Sequence, residues 1–156
     1  MGEIHMKALQ KIADVEVVSL ASRTEESGQA FAAQWKIPFS STNLEACIDR
    51  PGVDAVILTT PSDQHHDQTL LALSKGKHVQ VEIPMSLSLR DAEDMVSGAK
   101  RANRICMVTH TRRFASPHRE IHRRVRDGSF HLHHMVVETY FFRRTNLNMH
   151  GQPRSW

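Results

Sequence analysis

Two apolar runs of different character organise the middle of the chain. Residues 53–60 read VDAVILTT, nearly continuous in β-branched and aliphatic side chains, as in a strand covered on both faces. Residues 78–84 read HVQVEIP and alternate instead. Val79, Val81 and Ile83 fall on one side, His78, Gln80 and Glu82 on the other, and Pro84 stops the ladder. VEVVSL at 15–20 and RICMVTH at 104–110 read as further buried strands, and IPFS as a very short one. Helical spacing fills the intervals. GEIHMKALQKI puts Ile4, Leu9 and Ile12 on one face. SRTEESGQAFAAQW offers Thr24 as N-cap, acids in the first turn, and Phe31 and Trp35 at i, i+4. NLEACI is a short helix, and DQTLLALSKG is ended by Gly76. SLRDAEDMVSGAKRAN turns Ala92, Met95, Val96 and Ala99 inward. An arginine-rich helix follows around SPHREIHRRVRDG, then a long extended stretch, FHLHHMVVETYFF, at 130–142.

Strands alternating with helices predict an α/β fold, a doubly wound (Rossmann) parallel sheet covered on both faces. Ligands of such sheets lie outside the carboxyl ends of the strands. That rule gathers Ser22 and Arg23, Thr60 to His66, Glu82, and Thr109 to Arg113 at one edge. The alternation gives way near Asp127-Gly128. The expected division is therefore residues 1–127 for the doubly wound domain and 128–156 for the first strand of a second, α+β domain.

No Gly-x-Gly-x-x-Gly turn occurs in the sequence. Gly2 suits the third glycine of such a turn, where helix and strand pack closely. The expectation is a domain without its first strand, and a final strand without its sheet, so that both ends read as cut. The first strand of this fold is central, so two sheet edges are expected to lack their shared partner.

Composition narrows the class. At 156 residues, 40% hydrophobic and 24% charged, the chain is of ordinary globular type. No apolar run approaches the roughly 20 residues of a membrane span, and the first residues lack a signal-peptide pattern. A cytoplasmic location with no membrane partner is expected. Cys47 and Cys106 read as small buried residues without metal-ligand spacing. The net charge of +3 conceals an asymmetry: residues 1–110 carry 11 Lys/Arg and 14 Asp/Glu, residues 111–156 carry 9 Arg and 3 acids. Arginine favours bidentate recognition of carboxylate or phosphate, so an anion is expected there, nucleic acid or a small polyanion. The aromatics Tyr140, Phe141 and Phe142 are contiguous and no nucleic-acid module is recognised, which favours the small anion. His131 and His133 share a strand face without other ligands nearby, and no metal is expected.

The ordered series TTPSDQHH, GKHVQVEIP and MVTHTRRFASP resembles the glucose–fructose oxidoreductase/inositol dehydrogenase (Gfo/Idh/MocA) family of nicotinamide-dependent oxidoreductases. The resemblance implies that Glu82 contacts the nicotinamide ribose, and that Thr60, Pro61 and His65 form a turn over the cofactor. It implies cofactor contacts for His110 and Trp156 at the nicotinamide end, and substrate-carboxylate contacts for Arg112 and Arg113. Ser22, Arg23 and Thr24 end the second strand without an acid, which favours NADP over NAD while leaving NAD open. The family's catalytic lysine position holds Ile83, a hydrocarbon that moves no proton, so no catalytic residue is assigned within the chain. Within the family, GKHVQVEIP, CMVTHTRRF, TYFFRR and PRSW resemble semialdehyde dehydrogenases of aromatic catabolism, which oxidise a cyclised hemiacetal to a pyrone dicarboxylate. Their base would be a histidine beyond residue 156. The expected partners are a small anionic carboxylate substrate and, for the parent enzyme, further copies of itself; the 156 residues alone are expected to be inactive. A sugar or polyol dehydrogenase of the same family, and an arginine-rich nucleic-acid module, stand as alternatives.

Overall fold

The order of elements follows from local signals that the chain satisfies one after another. Helix α1 runs Gly2–Leu9, strand β1 Leu20–Ala21, α2 Glu25–Trp35, β2 Ser40–Ser41, α3 Leu44–Ile48 and β3 Ala55–Leu58. Then come α4 His65–Ser74, β4 His78–Val81, α5 Leu89–Ala102, β5 Cys106–Val108 and α6 Ser116–Arg126. Thr24, Asn43 and Ser88 cap α2, α3 and α5, each accepting a backbone N–H three residues on. Gly76, at φ +71°, turns the chain out of α4 in the left-handed region that glycine enters without strain. This is a computed structural model, and it describes residues 2–138.

The described strands make two parallel sheets, β1–β2 and β3–β4–β5. Val56 stands opposite Val79 and Leu58 opposite Val81, while Val79 and Val81 face Cys106 and Val108 on the other side. The doubly wound order 3-2-1-4-5 places a central strand where the two sheets divide. In the described residues β1 pairs with β2 and β3 with β4, and no ladder joins the two sheets. The chain also separates into two compact units, Met1–Arg112 and Arg113–Trp156, with the division ahead of the Asp127–Gly128 boundary expected from sequence.

Burial is uneven between the sheets. The larger core joins Ile48, Leu58, Ala72, Leu73, Val79, Val81 and Met95. The smaller joins Met6, Ala32 and Ile37, flanked by Phe31 and Trp35, whose ring centroids lie 6.1 Å apart. Helices α4 and α5 approach closely at Gly98, where an added Cβ would stand 2.8 Å from Leu70 Cδ2.

Several sequence expectations are corrected. Met6, not Ile4 or Ile12, is the buried residue of α1, because the helix ends at Leu9 and Ile12 lies beyond its last turn. Of residues 15–20 only Leu20 joins a ladder, since β1 finds partners only at Ser40 and Ser41. Val96 is exposed, one position round from the stripe of Met95 and Ala99 that packs on the sheet. Cys47 is buried but Cys106 is only half-buried; both are free thiols, and burial raises both pKa values. Residues 130–138 form no strand, having no neighbouring strand to pair with among the described residues; residues 139–142 lie outside them.

The second unit's α6 has no buried residue. Hydrogen bonds from Arg123 and Arg124 draw the Glu120 carboxyl down to about 2. Two of the helix's arginines are thus paired within their own helix. No described helix is long and apolar enough to cross a membrane.

Candidate functional site

Because β3, β4 and β5 are parallel neighbours, their carboxyl ends share one edge, and Thr60, Glu82, Thr109 and His110 all come from it. Glu82 is the first residue past β4. Its N–H donates to Leu58 O at 3.0 Å, so the backbone is held by the ladder's last rung. Its carboxylate is 12% exposed, and Oε1 lies 2.8 Å from Nε2 of His5 on α1, itself 17% exposed. On the next strand, the Thr109 N–H donates to Val81 O and its hydroxyl accepts from Gln80 Nε2 at 3.2 Å. His110 follows, exposed, at the rim of a shallow apolar hollow formed with Ile83, Pro84, Met85 and Val108.

The turn after β3 is clamped to the turn after β4. His65 is 1% exposed, with Nδ1 2.8 Å from Pro84 O and Nε2 2.9 Å from Thr60 O. Carbonyls only accept, so the ring holds whichever carbonyl faces its hydrogen-bearing nitrogen and lies close against the other. The Thr60 hydroxyl donates to Gln68 Oε1 at 2.6 Å, which ties the same turn to α4. Pro61 is exposed beside it, ahead of a short 3-10 turn, Ser62–Gln64.

The other sheet contributes a different kind of surface. The Ser22 N–H donates to Ser41 O, and its hydroxyl meets Ser27 Oγ at 2.8 Å. Gly28 lies beneath it, and an added Cβ would stand 3.1 Å from Ser22 Cβ. Thr24 caps α2, whose N–H groups point out of this turn. Arg23 is exposed and makes no ion pair with the described residues. Arg112 and Arg113 lie in a 3-10 turn, Thr111–Phe114; both are exposed, and Arg113 opens the second unit. Trp156 lies outside the described residues.

Residues 1–110 match the model of an oxidoreductase family, Gfo/Idh/MocA, with an NAD-binding Rossmann fold. The chain belongs to this family. Residues 116–156 match the C-terminal domain of bacterial oxidoreductases. The chain is 44% identical, over 99% of its length, to 4-carboxy-2-hydroxymuconate-6-semialdehyde dehydrogenase of Sphingobium sp. (strain NBRC 103272 / SYK-6). It is 38% identical over 72% of its length to 1,5-anhydro-D-fructose reductase of Ensifer adhaerens. It covers 49% and 34% of those two proteins, so it spans about half of their length or less. Among solved structures, a probable dehydrogenase from Thermotoga maritima superposes with a TM-score of 0.76 at 25% identity, over 82% of this chain and 38% of that one.

As a Gfo/Idh/MocA chain, the protein has an NAD(P)-binding Rossmann fold, and its donor set suits such a cofactor. Ser22, Arg23 and the first turn of α2 offer hydroxyl, guanidinium and backbone N–H groups of the kind that receive an anion. Glu82 presents a carboxylate acceptor of the kind that binds sugar hydroxyls. Ile83 is 53% exposed beside it and contributes only hydrocarbon. The His5–Glu82 pair went unread in the sequence because the two residues are 77 positions apart. One signal could have found it: in alternating folds, helix N-termini follow strand carboxyl ends, which puts the first half of α1 at this edge.

Proposed function

We propose that the first unit is the cofactor-binding half of an NADP-dependent dehydrogenase that oxidises a hydroxyl on a small carboxylate-bearing substrate. The parent reaction we infer is conversion of the hemiacetal of 4-carboxy-2-hydroxymuconate-6-semialdehyde to 2-pyrone-4,6-dicarboxylate. The observation that carries this reading is the 44% identity to the Sphingobium dehydrogenase across 99% of the chain. Bound NADP would accept the hydride from the substrate carbon. Arg23, with Ser22 and Thr24, would receive the 2′-phosphate as a charge-assisted contact. Glu82 would accept hydrogen bonds from the nicotinamide ribose, with Thr60, Pro61 and His65 shaping the turn above it. His110 and the apolar hollow would exclude water from the nicotinamide side, and we retain Trp156 as a proposed cofactor contact. Arg112 and Arg113 would recognise substrate carboxylates. Ile83 cannot take the hydroxyl proton, so another residue must, and we assign no general base within these 156 residues. Turnover by the 156-residue chain alone is accordingly not expected, and cytoplasmic location and self-association of the active enzyme complete the reading.

Titration of the purified chain with NADP and NAD, followed by calorimetry, tests the cofactor assignment. NADP should bind about tenfold or more tighter, and Arg23→Gln should remove most of that preference while leaving NAD affinity unchanged. Equal affinities in the unaltered chain would end the NADP assignment. Steady reduction of NADP by these residues with a semialdehyde substrate would show that a proton acceptor is present after all.

A further inference from the structure

We infer that His5 is a positioning residue for Glu82, holding one carboxylate oxygen so that the other faces a vicinal diol; this rests on the dinucleotide reading above. The Glu82 backbone is fixed by its bond to Leu58 O, but its side chain retains rotamer freedom that the strand does not remove. His5 Nε2, 2.8 Å from Oε1, removes it. The imidazole N–H donates, the carboxylate accepts, and with both side chains largely buried the contact is screened little by water. A carboxylate has acceptor sites on both oxygens, so Oε2 stays available for ribose hydroxyls. The placement of His5 is itself set by packing. Met6, the next residue, is buried in the smaller core, and Gly2 lies against Phe31, 3.4 Å from where a Cβ would stand. The helix that packs with α2 thereby orients a group at the end of β4.

Saturation-transfer NMR of NADP with the full chain reads this directly, because it reports each part of a weakly bound ligand separately. In the unaltered chain both riboses should receive saturation. His5→Ala should lower transfer to the nicotinamide ribose about fivefold, as expected for losing one charge-assisted hydrogen bond, and leave the adenine protons unchanged. His5→Gln, whose amide N–H can reach the same oxygen, should restore most of it. The double variant His5→Ala/Glu82→Gln should lose no more than Glu82→Gln alone. If Glu82→Gln silences the nicotinamide ribose and His5→Ala does not, the positioning role falls and the dinucleotide reading stands. A uniform loss over the whole ligand in His5→Ala, unrelieved in His5→Gln, would make His5 merely structural. If the unaltered chain shows no transfer, or Glu82→Gln changes nothing, the dinucleotide reading falls and this inference with it.

Discussion

The two sheets of the first unit start from similar sequence and end differently. VEVVSL and VDAVILTT are both runs of β-branched and aliphatic residues, yet the first yields the two-residue strand Leu20–Ala21 and the second the four-residue strand Ala55–Leu58. Propensity is nearly the same; partners are not. β3 pairs along four residues with β4, which has a second ladder beyond it and whose inward residues Val79 and Val81 are almost wholly removed from water. β1 has one two-residue partner, and the residues before it stay outside any ladder. Strand length is therefore a property of the pairing, with propensity only permitting it. The proposed site residues divide along the same line. The larger sheet carries Thr60, Glu82 and His110, while the smaller carries Ser22, Arg23 and Thr24 at the start of a capped helix.

The largest test of that contrast is a pair of truncations. Met95→Ala, in the larger core, should cost about 3–5 kcal/mol, and Met6→Ala, in the smaller, about 2 kcal/mol, since deletion costs track how completely the site was filled. Urea unfolding followed by far-UV circular dichroism measures both. Equal costs would mean that the two clusters are energetically one core, and the comparison would collapse.

A smaller effect is expected at the clamp between the turns. His65→Ala would leave Thr60 O and Pro84 O without their ring partner, at a cost of about 1 kcal/mol for a part-buried hydrogen bond that water can in part replace. The distinguishing readout is hydrogen exchange. Protection should fall at the amides of Glu82 and Thr109, which close the last rungs of the larger sheet, and stay unchanged at Ser22 in the smaller. Loss at Ser22 as well would show that the clamp serves both sheets.

Much of this is legible in the sequence alone. The cap at Thr24, the glycine exit after α4 and the alternation at 78–82 are local signals, and each is realised where the residues stand. The edge rule gathered Thr60, Glu82 and His110 correctly because parallel neighbours must point the same way. Long-range partnership was not legible. Nothing in the spacing of His5 names Glu82 as its partner, and nothing in the His65 position reveals that its ring faces two backbone carbonyls. The stretch 130–138 failed for the same reason as 15–19: an apolar pattern describes a strand that could form, not the neighbour it requires. Val96 failed more narrowly, by one step round α5.

The smallest expected effect concerns pH, and it belongs to the helix layer of the larger sheet. His66 on α4 bonds Asp67 at 2.7 Å and reaches across to Asp94 of α5 at 3.1 Å. The hydrogen bond to Asp67 first, and then that to Asp94, raise its pKa above the usual 6.5. Asp94 is correspondingly lowered from 3.8, chiefly by His66 and then by Arg101. A raised histidine stabilises fully below its unfolded value and loses that contribution as pH rises through its folded value. A lowered carboxylate stabilises above its unfolded value and loses the contribution as pH falls through its folded one. Both conditions hold between 3.8 and 6.5, so the bridge should be strongest in that window. His66→Gln should lower the urea midpoint slightly there, and the deficit should close as pH rises past the raised histidine value. Added salt should shrink it too, because both acids face solvent. The smaller sheet has no such histidine bridge among the described residues: its α2 pairs Glu25 with Gln29 within one helix, and Glu45 of α3 is met by Lys75, a cation that keeps its charge across this window. A deficit that persisted unchanged at alkaline pH would assign His66 to neutral packing and remove electrostatics from the difference between the two sheets.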